Sequence, residues 1–410
     1  MSTKFVFNDE LFISQLKKIA NGAELNDQHW DKLKESLVVV YPRCYFSFIN
    51  REVIEEFIKH DGQASIFKKR FLHYGVLAVF FAFCSFALAV VEPIYILPAA
   101  KSGSLSPNLA NTIALFAAAC GIASVIMGLH GAGLADRKEN WENLRLICEA
   151  LRQWQSQYRC THVKEILEAS ISKEPDAIAK FESARAAEFE QFKKNFIDNI
   201  SATRIQYVDT EKGGSESYWL SAKFDRRAKE ALTEKSDLIP YSRSKAETSQ
   251  SEECLKELFD AHDQIRFESQ VSYSNLMLGD GPFFQRALVQ EKRLSIIGII
   301  TVIIAFIAHL LIIVSVLSGW EFLKVPQVYI AAVWSALLAL AVRVLEDGFK
   351  PSAHLARLRL YNWEIKRHRA RFLGSLDFNR KHEEMLGFEE AAGYELCTFM
   401  KTIFASRFIF

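Results

Sequence analysis

Four apolar stretches, each close to the length a helix needs to cross a bilayer, constrain this chain more than any other feature. A transmembrane helix takes about 20 consecutive apolar residues, because the hydrocarbon core is about 30 Å thick. Phe71 to Val91 is the first, closed by Glu92-Pro93, and Asn108 to Leu129 is the second, entered from the turn-rich segment Lys101 to Pro107. Leu294 to Leu317 is the third, dense in isoleucine and closed by Ser318-Gly319-Trp320. The fourth is the shortest, from Val328 to Val342. Uncharged runs of this kind are rare inside soluble proteins. The pattern predicts an all-α membrane protein with four transmembrane helices in two hairpins and long cytosolic helical extensions.

Orientation follows from the flanks. Lys68-Lys69-Arg70 precedes the first span, Arg137-Lys138 follows the second, Lys292-Arg293 precedes the third, and Arg343, Lys350, Arg357 and Arg359 follow the fourth. The short connections within each hairpin hold only Lys101 and Lys324. By the positive-inside rule both termini and every long segment are predicted cytosolic, in a multi-pass protein of the cell (inner) membrane. Tyr95, Trp320, Tyr329 and Trp334 lie near the predicted outer ends, where aromatic belts form.

Composition narrows the rest. Half of the residues are hydrophobic, 24% are charged and the formal net charge is +1, which excludes a disordered tail or a nucleic-acid module as the whole chain. The seven cysteines include no C-x-x-C pair, which argues against a disulfide framework and against structural zinc. The first 70 residues lack the apolar core of a signal peptide, so insertion is expected to rely on the internal spans.

Five segments result. Residues 1–70 read as a cytosolic cap of three short helices, Asp9 to Ala20, Asn26 to Val40 and Asn50 to His60, the last stopped by Asp61-Gly62. Residues 71–133 form the first hairpin. Residues 134–292 form a cytosolic helical insert: an unbroken helix from Ala135 to about Ser170, a helix over 176–200 with Phe181, Phe189, Phe192 and Phe196 on one face, a linker-like stretch over 208–251, and a helix from Glu252 to Leu278. Residues 293–345 form the second hairpin, and 346–410 a basic helix with a C-terminal tail. Leu144, Ile147, Leu151, Trp154 and Tyr158 make one apolar seam behind the second span; Leu355, Leu358, Asn362, Ile365, Arg369 and Phe372 recur at the same spacing behind the fourth. Leu144-Arg145-Leu146 aligns with Leu358-Arg359-Leu360, as in two copies of one unit or in two helices under one constraint.

No phosphate loop, dinucleotide fingerprint, nucleophile elbow or clustered Cys/His set is present, so no catalytic residue, cofactor or metal ligand is assigned and the chain is not read as an enzyme. His262 has Glu257 and Glu268 at spacings that do not share a helix face, which argues against a metal site built from them. His309, in mid-span, is either a pore or gating group or a neutral imidazole bonded to a neighbouring helix. Gly121 and Gly128 in the second span, and Ala336 in the fourth, belong to small-xxx-small patterns. Those patterns make the second and fourth spans the packed inner helices and leave the first and third to lipid. Arg367, Arg369 and Arg371 in the basic helix are candidate lipid contacts, at about 1 kcal/mol per basic residue near an anionic surface, or simply topogenic charges.

The segment Trp141-Glu-Asn-Leu-Arg145-Leu-Ile-Cys-Glu149-Ala-Leu151-Arg152-Gln-Trp154 resembles the helix that follows the hairpin in the SLATT-type two-transmembrane effector superfamily. The resemblance covers residues 70–160. It implies a pore-forming or membrane-disrupting effector of bacterial antiphage defence, triggered by a nucleotide signal or a cytosolic sensor protein. The second hairpin, the long insert and the lack of a recognisable nucleotide-sensing domain depart from that pattern. The expected function is a membrane effector or channel-like protein gated by a cytosolic signal, with the lipid bilayer as its medium and homo-oligomerisation supplying partners for the seams. The alternative is a non-catalytic membrane scaffold that recruits a cytosolic partner.

Overall fold

The computed structural model describes residues 12–20, 25–133, 135–172, 174, 176–200, 238–239, 245–283, 286–318 and 326–405. Among these the chain is α-helical with short turns and no strand. It divides into two compact units: unit 1 is Met1–Ala64, Glu142–Leu278 and Ala356–Lys401, and unit 2 is Ser65–Trp141, Gly279–Leu355 and Thr402–Phe410.

Unit 1 begins with α1 (Ile13–Ala20) and α2 (Asp27–Val40). Asn26 caps α2 reciprocally: its Oδ1 accepts from the His29 N–H at 3.2 Å, and His29 Nδ1 accepts from the Asn26 N–H at 3.1 Å. The irregular stretch Tyr41 to Asn50 then needs partners for its backbone, and long side chains supply them. Glu257 accepts from the N–H groups of Arg43 and Cys44, Arg185 donates to the carbonyls of Phe46 and Ile49, and Gln155 donates to that of Phe48.

Helix α3 (Arg51–Val91) differs from the expected short helix. Gly62 has no atom within 4 Å of where a Cβ would stand, and its flexibility costs a helix only about 1 kcal/mol. The helix therefore runs straight through Asp61-Gly62. Its 41 residues make it about 60 Å long, twice the thickness of a hydrocarbon core. Pro93 does not close it either. The chain widens into a π turn over Glu92–Ile96, which absorbs the missing proline N–H, and continues as α4 (Leu97–Lys101).

The remaining helices of unit 1 pack around two aromatic clusters. Helix α6 (Ala135–Thr161) ends earlier than the sequence suggests. At His162 the backbone leaves helical geometry and the imidazole Nδ1 lies 2.9 Å from the Tyr158 carbonyl; α7 (Val163–Ile171) starts afresh. Helix α8 (Ala177–Phe192), with the π turn Lys193–Ile197, buries Phe181, Phe189, Phe192 and Phe196, the face expected from sequence. Trp154 stacks on Tyr158 and Phe192 at 5.2 and 5.8 Å. Helix α9 (Lys245–His262) starts seven residues inside the stretch read as a linker; most of that stretch lies outside the described residues. A π turn, Asp263–Phe267, joins it to α10 (Glu268–Leu278). Phe267 sits within 5.3 Å of Phe372 and 4.5 Å of Phe388, the second cluster. The segment expected as a tail is a helix, α14 (Phe378–Ala405), whose Met385, Phe388, Ala392, Leu396, Met400 and Ile403 are buried.

Unit 2 carries the apolar helices. Among the described residues four stretches are long and apolar enough to cross a membrane: Val76–Lys101, Asn108–Met127, Ala287–Val314 and the window opening at Pro326. They lie in α3 with α4, in α5 (Pro107–Gly133), in α11 (Ala287–Ser318) and in α12 (Pro326–Phe349). Lys350, in the left-handed region at φ +46°, separates α12 from α13 (Pro351–Gly374). The surface of α11 explains why these helices need an apolar medium: Ile297, Ile300, Ile303, Phe306, Ile307 and Leu310 all lie exposed along it.

Candidate functional site

The small residues of the apolar helices set how closely they approach. A Cβ placed on Gly121 of α5 would stand 2.9 Å from Ser85 Oγ of α3, and Ser124 Oγ of α5 donates to the Ala78 carbonyl of α3 at 3.0 Å. In α12, Ala332 and Ser335 are buried while Ala336 is exposed, so the packed face lies beside the pattern position expected from sequence. Helix α3, expected to face lipid, supplies Ala78, Ser85 and Ala87 to the packing; these small residues are hidden in the sequence among its phenylalanines. The surroundings of Gly128 lie outside the described residues. His309 is exposed on α11, and its Nδ1 bonds the Ala305 carbonyl of its own helix at 2.7 Å, not a neighbouring helix.

Arg145, Glu149, Arg152 and Trp154 of the family-like motif lie in unit 1, and Trp141 in unit 2. Trp141 and Trp154 are buried. Glu149 takes Arg145 one turn before it and Arg152 at 3.2 Å. Burial opposes the charge on Glu149, but the guanidiniums of Arg145, Arg152 and Arg266 outweigh it and hold its carboxyl below the usual range. Two partners come from parts of the chain that the motif does not reveal. Arg152 stands 4.7 Å over the ring of Phe57, and Arg145 stands 6.0 Å from the ring of Phe399 on α14. Phe399 also receives Arg357 of α13 at 4.6 Å, and Arg357 pairs with Glu395 of α14. The side chain of Glu395 is only 14% exposed. Burial, against the opposing effect of Arg357 and with help from Glu364 and Glu149, pushes its carboxyl up to about 8. Helices α6, α13 and α14 thus meet through a charged cluster around one aromatic ring.

The basic helix is less free than its charge suggests. Arg369 donates to both carboxylate oxygens of Asp263, at 2.8 and 3.0 Å, Arg371 lies 3.9 Å from Glu384, and Arg367 covers the ring of Trp363 at 4.8 Å. Arg369 acts as a tie between α13 and the π turn after α9. This accounts for a cation on the apolar seam Leu355, Leu358, Ile365, Phe372, whose members are buried.

A second polar cluster lies deeper. Arg266 donates through Nε to Glu389 Oε1 at 2.8 Å and through Nη2 to Oε2 at 2.9 Å, and Gln153 Nε2 donates to the same carboxylate at 3.1 Å. Beside it stand Cys160 of α6 and His262 of α9, and the ligand-type atoms of Cys160, His262 and Glu389 lie within 4.8 Å of one another. His382 Nε2 lies 2.6 Å from the Cys160 carbonyl. Burial, then Arg159, Arg266 and His382, hold His262 neutral, well below its ordinary value. Sequence spacing missed this cluster because its members sit on separate helices. The one available signal was Glu389 itself, an acid inside the apolar stripe Met385, Ala392, Leu396 of α14.

No family model, curated protein or solved structure matches the chain.

Proposed function

We propose that this chain is a multi-pass inner-membrane protein with two transmembrane hairpins, its termini and helical unit 1 cytosolic, acting as a channel-like effector whose spans respond to a signal received in the cytosol. The Phe399 cluster carries the reading. Arg145 lies on the helix that follows the second apolar stretch and Arg357 on the helix that follows the fourth, and both converge with Glu395 on one ring. A mere anchor has no need of such a joint, whereas a gated protein needs an element that biases two helices together. The resemblance of residues 70–160 to the SLATT-type effectors supports the same role, as part of bacterial antiphage defence with a cytosolic sensor protein or nucleotide signal as trigger.

The scaffold reading rests on His309. Its imidazole is satisfied by its own helix and requires no aqueous path. A conducting path would then be built between copies of the chain, whereas the seams of unit 1 are already met within one copy.

The test is dye and ion release from liposomes, with depolarisation of cells on overexpression, comparing the wild-type chain with Arg357→Gln and Glu395→Gln at equal membrane abundance. An effector depolarises cells, its output changes in Arg357→Gln, and Glu395→Gln, which imitates the protonated carboxyl, departs from the wild type only as pH rises toward and above about 8. A chain that leaves the membrane potential intact at high abundance is a scaffold. Reporter fusions at Leu105 and Glu216 check the orientation.

A further inference from the structure

We propose that Cys160, His262 and Glu389 form a binding site for a thiophilic divalent cation of the zinc class, which ties α6, α9 and α14 together inside unit 1.

The donor set is one sulfur, one imidazole nitrogen and one carboxylate oxygen, all from fully buried residues and within 4.8 Å of one another. Tetrahedral zinc with bonds near 2.0–2.3 Å places its ligand atoms roughly 3.5 Å apart, so the helices need to close by about 1 Å. The second observation is His262 Nε2, which is buried and has no hydrogen-bond partner. An orphaned polar atom in a dry interior is costly, and a ligand removes that cost. The third is the fixing of Glu389. Arg266 and Gln153 hold both of its oxygens, as the outer partners of metal-bound carboxylates do.

Donor chemistry selects the ion. Zinc enters as the aquo dication, forms bonds to Cys160 Sγ, His262 Nε2 and a Glu389 oxygen, and releases the thiol proton and its displaced waters to solvent. The thiolate meets part of the dication's charge, and the Glu389 carboxylate is shared between the ion and Arg266. Magnesium and calcium prefer oxygen donors and form no comparable bond to sulfur, so the thiolate is what discriminates against them. Because the ligands are buried, loading accompanies folding of unit 1.

The full-length protein, purified in detergent from zinc-supplemented cells, is expected to carry about one zinc per chain. Replacing zinc by cobalt(II) is expected to give a thiolate-to-metal charge-transfer band in the near ultraviolet, lost in Cys160→Ser and His262→Gln but kept in Cys254→Ser. Gln153→Leu is expected to weaken binding by roughly tenfold, as outer-partner losses do. Absence of zinc and of the cobalt band from the folded wild-type protein overturns the proposal. So does equal uptake by the wild-type chain and both ligand variants, which marks an adventitious ion only. Should the ligand variants fail to fold, the wild-type cobalt spectrum decides alone: a band supports a thiolate site at Cys160 if Cys254→Ser retains it, and no band refutes it.

Discussion

The indole Nε1 of Trp334 donates a 3.0 Å hydrogen bond to the main-chain carbonyl of Ala87, joining α12 to α3 inside unit 2. A tryptophan at this depth reads from sequence as an interfacial belt residue, yet its N–H is held by protein. In an apolar medium such bonds hold helices that have no hydrophobic reason to associate, though each is worth only about 0.6 kcal/mol on average. Trp334→Phe keeps the ring and removes the donor. It is expected to lower resistance to SDS-driven unfolding by about that amount, and a variant as stable as the wild type would show the bond to be incidental.

Gly121 and Ser85 give the second expectation. The added methyl of Gly121→Ala meets only a hydroxyl that can rotate away, so this variant is expected to be near neutral, and more so with Ser85→Ala. Gly121→Leu has no such escape. Overpacking of this kind costs about 1–3 kcal/mol. Unfolding of the two variants in detergent measures the gap; equal stability would mean that α3 and α5 do not pack at Gly121.

What the sequence made legible is what local periodicity encodes. The four apolar stretches follow from the length of their uncharged runs, and the phenylalanine face of α8 and the burial of Leu355, Leu358, Ile365 and Phe372 from the 3.6-residue repeat. Breaks were less legible. Gly62 and Pro93 look like stops, but a long helix accommodates a glycine and a π turn absorbs a proline. His162, without either residue type, ends α6 through its own side chain. The polar clusters were least legible, since Gln153 and Glu389 lie 236 positions apart and only the fold makes them neighbours. The partner of Arg369 was not legible either: a basic residue on a basic helix suggests lipid, and Asp263, to which it donates, lies 106 positions away in the chain.

The Arg266–Glu389 pair is expected to act as a single unit. Each charge is almost fully enclosed, with side chains 4% and 0% exposed. Arg266→Met leaves a carboxylate buried without its counter-charge and is expected to cost about 3–5 kcal/mol. The double replacement Arg266→Met with Glu389→Leu removes both charges and is expected to recover much of that loss. Thermal unfolding of the single and double variants gives the coupling, and a double variant no better than the single would show that the network holds the core for reasons beyond charge pairing.

Glu395 gives the pH dependence. Its carboxyl titrates near 8 in the folded chain, above its ordinary range, because burial outweighs the pull of Arg357. The folded state therefore holds a proton that the unfolded chain has already released between about pH 4.5 and 8, and stability contributed by this group falls as pH rises through that window. Glu149 runs the other way: its lowered value adds stability above the ordinary carboxylate range and loses it only in acid. His262 and His382, both lowered, add stability as pH rises through the ordinary histidine range, so above about pH 7.5 the Glu395 effect is the one that changes. Glu395→Gln imitates the protonated form and is expected to flatten the decline in melting temperature over that range while leaving the acid limb in place. The same titration loosens the Phe399 cluster, since an ionised Glu395 beside Glu149 and Glu364 draws water toward the ring. Membrane permeabilisation by the wild-type chain is then expected to change between pH 6.5 and 8.5, and that of Glu395→Gln to stay level. A wild-type chain whose stability and output are both flat across that interval would leave Glu395 ionised throughout and remove the cluster from any account of gating.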